Sequence, residues 1–163
     1  MDNELAKELF SVPDWLYLLR VVVRLCIAVA LGAVIGFERE RTGKSAGVRT
    51  HMLVALGAAL FTTVPLEAGM RTADFSRVIQ GLVTGIGFLG GGVILKLSEE
   101  HQVRGLTTAA GIWATAAVGM AVGAGWLWPA LCGTVLAWVI LQLLHVLETK
   151  LRPPGDSHGQ HQA

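Results

Sequence analysis

The chain has 163 residues, of which 53% are hydrophobic and 15% charged, with a mean hydropathy of +0.57. Soluble domains carry about 25% charged residues, so a soluble fold of this length could not bury the long apolar stretches that recur between its charged clusters. The 13 basic and 12 acidic residues nearly cancel, which excludes the basic face of a nucleic-acid binder.

Membrane integration accounts for the composition, with the lipid bilayer as the first partner. The chain opens on an acidic segment, residues 1–14, carrying Asp2, Glu4, Glu8 and Asp14. The first apolar segment is Leu16–Phe37, interrupted early by Arg20 and Arg24. It ends in Phe37-Glu38-Arg39 without a small-residue cleavage pattern, so it is expected to be a retained helix rather than a signal peptide. A second segment, Met52–Leu66, is short and is expected to need the Thr50–His51 end or local thinning of the bilayer to cross it. Val78–Leu97, Leu106–Gly125 and Leu127–Leu147 follow. A helix rising about 1.5 Å per residue needs roughly 20 residues to cross a core of about 30 Å, and backbone groups in lipid must be paired within the segment. The expected fold is therefore all-α and polytopic, with about five transmembrane helices. The last two form a tight hairpin around Gly123, Gly125 and Pro129. Residues 15–150 form the membrane domain, and 151–163 a polar Pro/Gly/Gln-rich tail expected to be disordered, with His158 and His161 solvated. Cys26 and Cys132 lie far apart in apolar stretches and suggest neither a disulfide framework nor a zinc site.

Five spans put the termini on opposite sides. One side receives Arg39, Arg41, Lys44, Arg49, Lys96, Arg104, Lys150 and Arg152, the other only Lys7, Arg71 and Arg77. The basic side is cytoplasmic, so the N-terminus is expected outside and the C-terminus in the cytoplasm.

Most of the 20 glycines fall inside the spans. Gly85-Ile86-Gly87-Phe88-Leu89-Gly90 matches the dinucleotide fingerprint only formally, because it lies in an apolar run with no preceding strand. Its useful content is steric. Gly32 and Gly36, Gly81 and Gly85, and Gly87 and Gly91 are spaced i, i+4, as are Gly111, Thr115, Gly119 and Gly123. Small faces let helix backbones approach closely. The density of glycine over Gly85–Gly92 also admits a second reading, an unwound segment that offers carbonyls to an ion.

Two charged clusters carry the functional signal. The first, Gly36 to His51, contains Glu38, Arg39, Glu40, Arg41, Lys44 and Arg49. A positive-inside loop explains the bases but not two carboxylates at the membrane border. Either they pair with Arg39, Arg41 or Arg49, with an Arg49–Glu38 contact pinning two helix ends, or they form a ligand site. Thr50 is placed to cap the second helix. The second cluster runs from Lys96 to Trp113 and contains Arg104, Thr107 and Thr108; the threonines cap the fourth helix or line a polar junction with Glu38 and Arg49. Magnesium prefers carboxylates, and only Glu38 and Glu40 resemble such ligands.

At these residues the chain resembles the MgtC/SapB family of bacterial inner-membrane proteins. The resemblance rests on Gly36–His51 followed by Leu53-Val54-Ala55-Leu56-Gly57, on Arg77–Lys96, and on Arg104–Trp113, and covers roughly residues 18–145. It implies a membrane domain linked to magnesium homeostasis and growth under magnesium limitation, with Mg2+ as ligand or substrate and no other cofactor. MgtC proteins continue into a cytoplasmic C-terminal domain, so the resemblance is expected to be to the short SapB-like branch. Relatives can carry Asn at the position of Thr107 and Cys at that of Ala114.

Two functions remain open at this point. One is Mg2+ transport, for which the spans offer few deep polar groups: Arg24, Gln80, Thr84 and His145. The other is a regulatory protein that forms a homo-oligomer or binds a larger membrane complex, such as an ATPase or ATP synthase, through its small-residue faces. No nucleophile–base pair or phosphate loop suggests an enzyme.

Overall fold

A computed structural model describes residues 15–96 and 105–151. The acidic segment 1–14, residues 97–104 with Arg104, and the tail 152–163 with His158 and His161 lie outside the described residues, as does the side chain of His145. The described chain forms five helices: α1 (Trp15–Arg41), α2 (Val48–Glu67), α3 (Thr72–Lys96), α4 (Leu106–Gly123) and α5 (Leu127–Leu151). The first four are long and apolar enough to cross a membrane, and α5 is apolar over Leu127–Leu143. Large side chains such as Leu53, Phe61, Phe88 and Leu136 point outward. Contiguous apolar surface of that kind is a liability in water and the natural exterior in lipid. The fold is an all-α polytopic membrane protein.

The first charged cluster is more helical than its composition predicts. α1 continues past Phe37 through Glu38, Arg39, Glu40 and Arg41, and α2 already begins at Val48. Glu and Arg are good helix formers, so the break waits for Gly43 and Gly47 in the intervening turn. α2 thereby reaches 20 residues, a length of about 30 Å, and needs no thinning of the bilayer. Thr50 does not cap it. Gly47 is the N-cap and offers no side chain; instead Glu40 Oε2 accepts the Val48 N–H at 2.9 Å. At α4 the N-cap is Gly105, with φ +90° and no side-chain cap, so neither Thr107 nor Thr108 caps that helix.

α3 is a continuous helix through Gly85–Gly92, so the unwound reading is replaced by an unbroken glycine-rich span. The α4–α5 turn closes as the sequence predicts. Gly125 takes φ +82°, Trp126 N–H reaches Ala121 C=O at 2.8 Å and Gly125 N–H reaches Val122 C=O at 2.9 Å. This left-handed termination favours glycine. Trp126 and Trp128, both exposed, flank the turn, as interfacial aromatics do.

α4 is the hub of the bundle, in contact with every other helix, whereas α3 touches only α2 and α4 among the described residues. The reason lies in the small residues. A Cβ added at Gly32 would stand 2.7 Å from His51 O and 2.9 Å from Ala55 Cβ, and one at Gly36 would stand 2.7 Å from Val48 Cα. On the other side of α2, a Cβ at Gly119 would run into Ala55 O, and one at Gly123 would stand 2.6 Å from Ala59 O. α2 therefore presents His51, Ala55 and Ala59 at four-residue spacing to Gly111, Thr115, Gly119 and Gly123 of the parallel helix α4. Ala28, Ile35, Ala55, Ala59, Val118 and Val122 fill the core. The expectation of close packing does not extend to α3. At Gly81, Gly85, Gly87 and Gly91 an added Cβ would meet nothing within 4 Å, because the helix makes its contacts through other residues, such as Gly90 against Ala109.

Candidate functional site

Polar side chains are gathered at the two ends of the α1–α2–α4 junction. The end formed by the α1–α2 turn and the start of α4 holds Glu38, Arg39, His51, Thr108 and Thr115, all buried. α1 brings Glu38 and Arg39 there because both follow Ile35 and Gly36 by one turn, and so share their inward face. The Arg39 Nη1–Glu38 Oε2 separation is 3.7 Å, beyond the 2.7–2.9 Å of a charge-assisted hydrogen bond. Neither carboxylate oxygen of Glu38, nor Nε and Nη2 of Arg39, has a hydrogen-bond partner among the described residues. They attract as charges without a direct hydrogen bond between them.

His51 is completely buried. Its Nδ1 lies 2.8 Å from Thr115 Oγ1, and the Thr115 hydroxyl donates to Gly111 C=O, also at 2.8 Å. With that single hydroxyl proton committed, the oxygen accepts from His51, which assigns the ring proton to Nδ1. Nε2 is then a lone-pair acceptor, and it too lacks a partner among the described residues. Thr108 lies on the same face of α4, one turn before Gly111. Gly111 packs against the imidazole: an added Cβ would stand in ordinary contact with His51 Cε1 at 3.5 Å.

The opposite end holds Arg24 and Glu67, joined by a 2.8 Å salt bridge between α1 and the last residue of α2, with side chains about one-fifth exposed. The Arg24 guanidinium also lies against the α4–α5 turn, 3.1 Å from where a Gly125 Cβ would stand. Thr63 Oγ1 donates to Gly123 C=O at 3.2 Å nearby. Arg24 is thus a structural strap between three elements. Gln80 and Thr84 are exposed on α3, and the Thr84 hydroxyl is turned back on Gln80 C=O at 2.8 Å.

The structure brings together only part of the predicted site. Glu38, Arg39 and Thr108 converge. Arg49, Thr50 and Thr107 are exposed, and among the described residues Glu38 makes its ion contact with Arg39, not Arg49. The first turn of α2 turns His51, rather than Arg49, toward α1. Glu38 and Glu40 cannot share a cation, since residues two apart on a helix face different ways and Glu40 is engaged by Val48. No group of three His, Cys, Asp or Glu side chains gathers among the described residues, and Glu38 sits beside a guanidinium. These residues do not fit a dehydrated magnesium ion, which requires several oxygen ligands in near-octahedral geometry. His51 and Thr115 were missed as site residues. The signal was present, because His51 heads the His51–Ala55–Ala59 series that matches the spacing of the Gly111–Gly123 stripe.

Comparison with known proteins gives a consistent picture. The model of the MgtC family matches residues 25–150. The chain is 48% identical over 126 residues to Protein SrpB of Synechococcus elongatus, covering 71% of this chain and 67% of that protein. It is 43% identical over 150 residues to Protein MgtC of Brucella abortus, covering 91% and 61%. It is 39% identical over 137 residues to a protein of Escherichia coli (strain K12) named "Putative magnesium transporter YhiD", covering 80% and 63%. The chain thus spans between three-fifths and two-thirds of the length of these relatives. No solved structure is a significant match.

Proposed function

Because this chain belongs to the MgtC family of bacterial membrane proteins, we propose that it serves magnesium homeostasis in the inner membrane as a non-conducting regulator of a larger membrane complex. In this reading the N-terminus faces outward, the Glu38–Arg39–His51 cluster faces the cytoplasm, and residues 15–150 are the acting unit.

One observation carries the reading: the interior between the two polar ends is closed. From His51 to Glu67 is 16 residues, about 24 Å of helix. Along that path Ala55, Ala59, Val118 and Val122 are buried against one another, at backbone approaches that leave no room even for a methyl group at Gly119 or Gly123. Among the described residues, a divalent cation crossing there would meet no carboxylate, and the backbone contacts at Gly119 and Gly123 close the space between α2 and α4. The polar cluster is better suited to a state change at one face. Among the described residues Glu38 and Arg39 form a loose buried pair with donors and acceptors to spare, and a change in that pairing would move α1 against α2 and α4.

Flux of Mg2+ into proteoliposomes, followed with an entrapped magnesium-sensitive dye, tests the reading. The expected result is no influx above protein-free vesicles. Glu38→Gln should impair growth in low magnesium, relative to the wild-type gene, without lowering the amount of protein in the membrane. The transport reading, which the name of the Escherichia coli relative favours, requires a saturable flux that Glu38→Gln abolishes; that result would overturn the proposal.

A further inference from the structure

The open flank of α3 is a groove rather than a flat face. α2 contributes Leu53, Gly57 and Phe61 to it, and α3 contributes Gly81, Gly85 and Leu89, enclosing a volume of about 660 Å³. Its lining is apolar except for Arg77 at one end. Gly57, Gly81 and Gly85 leave it open, since a Cβ at any of them would meet nothing within 4 Å.

From Arg77 to Leu89 is 12 residues, about 18 Å along α3. One leaflet of a bilayer core about 30 Å thick is about 15 Å deep. The groove is therefore about one leaflet long. It begins five residues inside the start of α3, where an arginine side chain reaches the headgroup level. Arg77 is exposed and has no carboxylate within ion-pair distance among the described residues. At that level the guanidinium is within reach of the anionic groups of lipid headgroups.

Apolar length, depth and the single terminal charge match one ligand. We propose that the α2–α3 groove is a binding site for an anionic phospholipid of the leaflet that faces the α2–α3 turn, with its phosphate on Arg77 and one acyl chain along Gly81 and Gly85. The phosphate of an anionic lipid has no cation of its own and is free for a charge-assisted contact with the guanidinium, whereas in a zwitterionic headgroup the same phosphate is balanced by the headgroup's ammonium, and the glycines provide the channel that a Leu or Phe would fill. The site is independent of whether the protein conducts ions.

Native mass spectrometry of the full chain, released from mixed micelles of phosphatidylglycerol and phosphatidylcholine, tests it. Phosphatidylglycerol should be retained in preference to phosphatidylcholine, and Arg77→Gln should weaken its retention about tenfold, the value of one charged hydrogen bond. Gly85→Phe should displace both lipids while leaving the helical circular dichroism unchanged. Equal retention of the two lipids by the wild type, or undiminished phosphatidylglycerol retention in Arg77→Gln, would overturn the proposal. So would efficient disulfide cross-linking of Gly81→Cys between chains in native membranes, which would make the groove the seat of a second copy.

Discussion

Nine glycines share helix-packing spacing in this chain, yet they divide into two groups with different neighbours. Gly32, Gly36, Gly111, Gly119 and Gly123 face α2 and its start, four of them at distances that no side chain tolerates, whereas Gly81, Gly85, Gly87 and Gly91 face nothing among the described residues. The comparison shows what spacing can and cannot encode. A four-residue repeat states that a helix offers a smooth face. Whether that face is taken up depends on a matching repeat elsewhere, which α2 supplies to α1 and α4 through His51, Ala55 and Ala59 but not to α3.

The widest separation between the groups should come from leucine. Gly119→Leu drives a branched side chain into the backbone of Ala55, at an expected cost of about 3 kcal/mol or more, whereas Gly87→Leu should leave the melting temperature of the purified protein unchanged or slightly raised, since leucine is the better helix former. Equal losses in the two variants would erase the distinction. A smaller effect is expected at the polar end of the packed junction. Thr115→Val keeps the shape but removes the acceptor of His51 Nδ1–H, leaving a buried donor unpaired at about 1–3 kcal/mol. The imidazole nitrogen shifts in an NMR spectrum should report the lost bond directly. Next comes the helix start beside it: Glu40→Ala should cost about 1 kcal/mol by freeing the Val48 N–H, while Thr50→Ala should change stability by less than about 0.5 kcal/mol. The smallest effect has the opposite sign. Gly87→Ala on the open flank should stabilise α3 by up to about 1 kcal/mol through helix propensity alone, and a loss in thermal unfolding would mean that the flank is packed after all.

The helices were legible because their signal is one of sequence-local hydropathy. Positions 106–123 and 127 onward were bounded to within two residues at the turn by Gly125 and its neighbours. The edges next to charge were less so. Glu38 to Arg41 read as a loop because they are charged, but a charged residue ends an apolar segment without ending a helix. Burial was the harder quantity. Glu38 and Glu40 are identical in type and two positions apart, and only the face of α1 that meets α2 and α4 determines that one is buried and the other caps a neighbouring helix. Arg49 and His51 differ in the same way: the sequence marks both as polar near a membrane edge, and the first turn of α2 exposes one and encloses the other. Thr115 read as a small residue because its hydroxyl acquires a role only when His51 arrives from 64 positions away.

The Arg24–Glu67 bridge has a consequence for biosynthesis. The two residues are 43 positions apart, so at about 5–20 residues per second the ribosome needs roughly 2–9 s to deliver the carboxylate after the guanidinium. During that interval α1 carries an arginine nine residues inside its own start with its eventual counter-ion not yet made. The first span is therefore complete as a membrane segment only when the second has followed it, and the pair should be released from the insertion machinery as one hairpin. Glu67→Gln would leave the finished bundle with a missing contact at its rim, but its earlier effect would be on the nascent chain, as a slower and less certain commitment of α1 to the bilayer.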